Sequence, residues 1–214
     1  MQGPPDWWKK WKPLRWLAGG GVLIALASEL APRLSEVEIL APADAPPEQH
    51  FVVPAGVPVP FLDNFSSYDN LEKAREMLSA AGYTADFSRN RKPRSRKYPP
   101  RDLDTLTVGG YKHLGVTGRL ELVFFNDNLY MAIFDVSKAG PYAEALNQAE
   151  PHLKRDKLGT AEYVDGNRRV LTNVYFTAGP VGRAAGSQGW AMWQDLKLVQ
   201  LRNEWEVLYG LITP

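Results

Sequence analysis

The chain contains no cysteine and only three histidines, His50, His113 and His152. Disulfides, thiolate metal sites and cysteine nucleophiles are thereby excluded. No two of the histidines sit at a short ligand spacing, so no metal or other cofactor is expected. The net charge of +1 points to no partner class. No uninterrupted apolar run reaches the roughly 20 residues of a full membrane span. The glycine-rich stretch Ala185-Gly-Ser-Gln-Gly189 lacks a glycine two before its serine, and so fails as a nucleophile elbow. It also lacks the Gly-Lys-Ser/Thr that closes a phosphate loop.

What is present is unevenly distributed along the chain. Lys9, Lys10, Lys12 and Arg15 precede an apolar run from Trp16 to Ala27. A basic start followed by such a run is the pattern of an export signal, and Ala25-Leu26-Ala27 offers a cleavage site. Trp7, Trp8, Trp11 and Trp16 alternate with the cations, as in an interfacial belt where indoles sit at headgroup level. Residues 1–34 therefore read as a signal anchor or a signal peptide, against an amphipathic tail on a cytosolic protein. The membrane-interface candidates are Trp7, Trp8, Lys9, Lys10, Trp11, Arg15 and Trp16. Residues 35–60 carry six prolines and read as an extended linker, because proline blocks both ladders and helices. Phe51 to Pro60 has the alternative of lying on the domain as an edge strand.

Residues 61–214 read as one α+β domain, with helices packed on antiparallel sheet. Ser66-x-x-Asp69 and Asp69-x-x-Glu72 fit capping boxes. Leu71, Ala74, Leu78 and Ala81 follow at helical spacing and Gly82 stands at the stop, predicting a helix over 68–81. A short strand is expected over 83–88 and another over 103–111. Leu120, Leu122 and Phe124 share one face by period two, and Asn126-Asp127-Asn128 supplies a turn, predicting a hairpin over 119–134. Pro141 opens a second helix and Pro151 closes it. Arg169 to Thr177 alternates as a strand, 178–189 reads as a loop, and 190–201 as a hairpin turning at Gln194-Asp195. A last apolar element runs from Trp205 to Ile212. Two related helix-plus-hairpin halves would explain the recurrence of helix, strands and an aspartate-bearing turn.

Residues 89–101 have a different character: seven of thirteen are Lys or Arg and three are Pro. This run reads as an extended basic loop whose Arg89, Arg91, Lys92, Arg94, Arg96, Lys97 and Arg101 can meet phosphates or carboxylates. The bland alternative is a solvated loop balancing Asp102, Asp104 and other acids. Tyr98 is its only aromatic, so stacking on nucleic-acid bases is disfavoured. His113 reads as a surface or turn histidine, with no acid or nucleophile near it in sequence. The pairs Asp102/Asp104 and Asp63/Asp69 have no spacing specific to acid–base chemistry. No residue is thus assigned a catalytic role. Trp190 and Trp193 fall on opposite faces of one strand, so both can be core only if both faces are covered.

The resulting expectation is an envelope protein, membrane-anchored and facing the periplasm or extracytoplasmic space, or else secreted. Its role is expected to be binding or structural, as an accessory subunit of a membrane-associated assembly. The basic run would meet anionic lipid, glycan or an acidic protein. Two alternatives differ in class: a hydrolase whose site is assembled from distant residues, and a cytosolic nucleic-acid-binding module.

Overall fold

The computed structural model describes residues 53–92, 99 and 101–209. The candidate membrane segment 1–34 and the basic residues Arg94, Arg96 and Lys97 lie outside them. The described part is an α+β domain: five helices on one eight-stranded, wholly antiparallel sheet. Helix α1 spans Leu71–Ala80. Strands β1 (Asp86–Lys92), β2 (Arg101–His113), β3 (Val116–Phe125) and β4 (Asn128–Val136) follow. Helix α2 (Ala139–Ala149) opens the second half, before β5 (Lys154–Arg155), β6 (Ala161–Asp165) and β7 (Arg168–Thr172). Short helices α3 (Val174–Ala178) and α4 (Pro180–Ala184) lead to β8 (Gly189–Asp195) and α5 (Leu196–Tyr209). The sheet order is β1-β2-β3-β4-β8-β7-β6-β5. The first half is a helix and then four strands; the second likewise has a helix and four strands, with α3 and α4 inserted before β8 and α5 added after it, and the two meet where β4 pairs with β8.

Local chemistry explains the clearest elements. Helix α1 is capped by Asn70, whose side chain accepts from the Lys73 amide at 2.8 Å. The expected Ser66/Asp69 box instead closes a turn, with the Ser66 amide donating to Asp69 at 2.9 Å. At the other end, Gly82 adopts φ +81°. Its amide reaches the Ser79 carbonyl and the Tyr83 amide reaches that of Leu78, the two bonds of a Schellman stop. The β3–β4 hairpin turns through Asn126 and Asp127, both at positive φ, as the tight hairpin loop requires. Asp127 also accepts from the Leu71 amide at 3.0 Å, so this turn caps the first helix as well.

The sheet has two covered faces. Leu106, Leu120, Leu122, Phe124, Ala132, Phe134, Val170 and Trp193 pack with Ala74 and Leu78 of α1 and Tyr142 and Leu146 of α2. On the other face Val123, Phe125, Met131, Leu171 and Met192 pack with Leu198 and Trp205 of α5, and Trp190 joins them. Both tryptophans of β8 are therefore accommodated. Val53 packs on the α5 side and Val59 on the opposite one. Among the described residues no helix is long and apolar enough to cross a membrane.

Several readings are corrected. The strand expected over 83–88 runs from Asp86 to Lys92, so Arg89, Arg91 and Lys92 are strand residues rather than loop. The strand expected over 169–177 stops at Thr172. The hydroxyl of Thr172 accepts from the Val174 amide at 3.1 Å and turns the chain into α3. The hairpin expected at Gln194-Asp195 is absent. Asp195 instead accepts from the amides of Lys197 and Leu198, at 2.9 and 3.2 Å, and caps α5. The two aspartate-bearing turns are therefore not equivalent positions.

Candidate functional site

Two groupings carry unusual chemistry. The first is the end of the sheet where the basic run begins and ends. Strands β1 and β2 pair in register from Asp86↔Thr107 to Lys92↔Arg101, so residues 93–100, which include Arg94, Arg96 and Lys97, connect two paired strand ends. Arg89 and Arg91 lie on the same face as the carboxylates opposite them. Arg89 grips Asp104 through two bonds of 2.7 Å, and Arg91 grips Asp102 through two of 2.6 Å. Such forked pairs fix direction as well as charge. Arg75 of α1 lies 4.6 Å from the Phe87 ring centroid, and Arg89 lies 5.5 Å from it.

Arg101 departs from the rest of the run. It is buried at 4% exposure, bonds to Glu206 of α5 and lies 5.4 Å from the Trp205 ring. Burial lowers its affinity for its proton, Glu206 opposes that and Arg202 adds to it. The Trp205 indole donates to the Pro99 carbonyl at 3.0 Å, tying the return of the run to the same helix. Of the seven cations, Arg89, Arg91 and Arg101 are thus held by carboxylates. Lys92 is half-buried at the strand end, and the remaining three lie outside the described residues.

The second grouping surrounds His113 and was invisible in sequence. His113 is not a surface residue: it is 5% exposed, and Tyr142 beside it is 0% exposed. Its Nδ1 lies 2.8 Å from the Tyr142 hydroxyl. Its Nε2 lies 3.9 Å from Asp63, whose other oxygen accepts from Tyr111 at 2.7 Å. The rings of Phe134 and Trp193 stand edge-on to the imidazole. Trp193 donates to Glu150 at 3.3 Å. Glu150 is clamped by Arg168, which also donates to the Pro60 carbonyl at 2.7 Å. Asp63, His113, Arg168 and the pair Tyr142/Glu150, on α2 and its C-cap, come from four separate stretches of chain, so no local spacing could have grouped them.

Burial pushes His113 below its ordinary pKa of 6.5, while Asp63 and Glu150 pull the other way. Burial keeps the Tyr142 proton in place. With its proton on Nε2, toward Asp63, the imidazole would accept from the Tyr142 hydroxyl at Nδ1; the opposite tautomer would donate to it. The arrangement resembles a base held between a hydroxyl and a carboxylate, but its histidine and tyrosine are closed off from solvent. The structure does contain a shallow pocket of about 380 Å³, lined by Ala139, Pro141, Thr177, Gly182, Arg183 and Ser187 among others. None of the His113 grouping lines it. No group of three metal-ligating side chains occurs among the described residues.

The His113 grouping makes a pH prediction. Because the folded-state pKa is lowered, the unfolded chain binds the extra proton first as pH falls below about 6.5. Stability should therefore drop between pH 6.5 and 5 more steeply for the native chain than for His113→Gln. Urea midpoints at a series of pH values measure this. Parallel profiles for the two proteins would remove His113 as the cause. Comparison with known proteins adds nothing further: no family model matches the chain, and neither does any curated protein or solved structure.

Proposed function

We propose that the protein is a non-catalytic binding or structural subunit of a membrane-associated assembly. Residues 1–34 would hold it at, or export it through, a membrane. Residues 61–214 would then stand in the extracytoplasmic space beyond the linker. The observation that carries the binding role is the placing of the cationic run. It joins the ends of the outermost hairpin of the sheet, and its flanking arginines are fixed by Asp102, Asp104 and Glu206. A ladder closed at Lys92 and Arg101 holds both ends of the run firmly. Arg94, Arg96 and Lys97 are then the cations left to meet an anionic lipid, glycan or acidic protein. Burial of His113 and Tyr142 supports a structural rather than a catalytic use of that grouping. The repeated order of helix and four strands, with the sheet order mirrored about β4 and β8, supports two related halves.

The test has two arms. On fractionation the full-length chain should sediment with membranes and resist a salt wash if residues 1–34 anchor it, or appear in the extracytoplasmic fraction if they are cleaved; recovery in the soluble cytosolic fraction would end the envelope assignment. Reversing Arg94, Arg96 and Lys97 to glutamate should weaken retention on an immobilised anionic glycan such as heparin. The expected loss is on the order of tenfold or more near physiological salt, because exposed cations act within the screening length. Unchanged retention would take the run out of the binding role.

A further inference from the structure

The outer side of β1 is the notable unfilled surface. At the other end of the sheet β5 offers only two residues, Lys154 and Arg155. Strand β1 offers seven, without proline, and six of them are exposed. Its register with β2 runs without a bulge, and among the described residues nothing pairs with its other side. The direction of its free groups follows from the next strand. The Asp102 amide donates to Asn126, and its carbonyl accepts from the Asn126 amide. Asp102 therefore points its backbone toward β3 and away from β1. By alternation, Arg91, Arg89 and Phe87, which stand opposite Asp102, Asp104 and Leu106, turn their amides and carbonyls to the open side.

Such an edge is an invitation to pair unless charge forbids it. Here the charges do not forbid it. Arg89 and Arg91 are each neutralised by a forked carboxylate on β2. That leaves Asp86 at one end of β1 and Lys92 at the other. We infer that two copies of this chain pair antiparallel through β1, about a twofold axis at Arg89, to form one continuous sheet. In that register every side chain but Arg89, which meets its own copy, faces a complementary one across the seam. Asp86 faces the second copy's Lys92 as an ion pair. Phe87, 42% exposed, faces the second copy's Arg91, a guanidinium over a ring. Ser88 faces Asn90. The two copies of Arg89 stand side by side, each held by its own Asp104. The free amides of Phe87, Arg89 and Arg91 in each copy meet the free carbonyls of the same residues in the other. The contact is isologous, so it closes at two copies.

The absence of cysteine makes the register directly testable. One full-length chain carries Ser88→Cys and a differently tagged one carries Asn90→Cys. The two are mixed and oxidised. These positions form a non-hydrogen-bonded pair across the seam, with a Cα separation that suits a disulfide. The mixed disulfide should form in clear excess over that of a control pairing Ser88→Cys with the exposed Glu76→Cys. Adding Lys92→Asp to both chains sets like charges against Asp86 and should reduce the product to the control level. Adding Asp86→Lys as well restores opposite charges and should restore the product. Phe87→Pro removes an outward amide without touching the β1–β2 ladder, and should also abolish it. A mixed disulfide no more abundant than the control overturns the inference. So does a product that ignores both Lys92→Asp and Phe87→Pro.

Discussion

Trp193→Ala is expected to cost about 3–5 kcal/mol of stability, the range for truncating a buried tryptophan. That is a large share of the roughly 5–15 kcal/mol that holds a typical domain together. Trp193 is 1% exposed in the middle of β8. It stands in register between Ala132 of β4 and Val170 of β7, at the seam joining the two halves. The small side chain of Ala132 cannot move to fill the space. The indole also packs edge-on against His113 at 5.4 Å, and its N–H serves Glu150. Trp193→Phe keeps one aromatic ring but loses the rest of the indole and its N–H donor, so it should cost less than the alanine variant, about 1–3 kcal/mol. Guanidinium unfolding followed by far-ultraviolet circular dichroism measures both. A loss below about 1 kcal/mol for the alanine variant would show that the seam is not a linchpin of the fold.

Trp205→Ala should lose a similar amount by the same rule, about 3–5 kcal/mol, but in a different place. Helix α5 buries only Leu198 and Trp205 completely. Without the indole it keeps one firm anchor. Arg101, stacked beside that ring and paired with Glu206 of the same helix, would lose its cover, and the Pro99 carbonyl would lose its donor. The expected result is fast hydrogen exchange across 196–209, while β2, β3 and β4 stay protected. Equal loss of protection throughout the sheet would show instead that α5 unfolds only with the whole domain.

The contrast between these tryptophans bears on what could be read from the residues alone. The β3–β4 hairpin and the first two helices were legible because their signals are local. Alternating Leu120, Leu122 and Phe124, the Asn-Asp turn and Gly82 each act within a few residues. Helix α5 was not legible, because its apolar residues surround it. Leu198 and Trp205 face the sheet while Val207 and Leu208 are exposed, so no helical stripe stands out; 196–201 read as a strand of a hairpin, and from Trp205 the chain read as strand or helix. Helix α3 failed for another reason. Val174, Tyr175 and Phe176 favour strands intrinsically, and the turn into helix is made by Thr172 and the contacts around it. The basic run was visible as composition, and Asp102 and Asp104 as acids that could balance it; which arginine each one grips needs the β1–β2 register, and Glu206 lies on another element. The His113 grouping depends wholly on the assembled sheet, because its parts share no local pattern.

The mirrored strand order also constrains how the chain comes into being. Strand β4, with the apolar Leu129, Met131, Ala132 and Phe134, has β3 on one side at once but receives its second neighbour only when β8 is made. Ala132 waits for Trp193 across 193 − 132 = 61 residues. At roughly 5–20 residues per second of synthesis, that is about 3–12 s. Throughout that interval the nascent N-terminal half presents a long, greasy, unsatisfied border. Translation speed and chaperone supply should therefore govern the yield of soluble product more strongly than the final stability does, and truncations ending between β4 and β8 should accumulate as insoluble material.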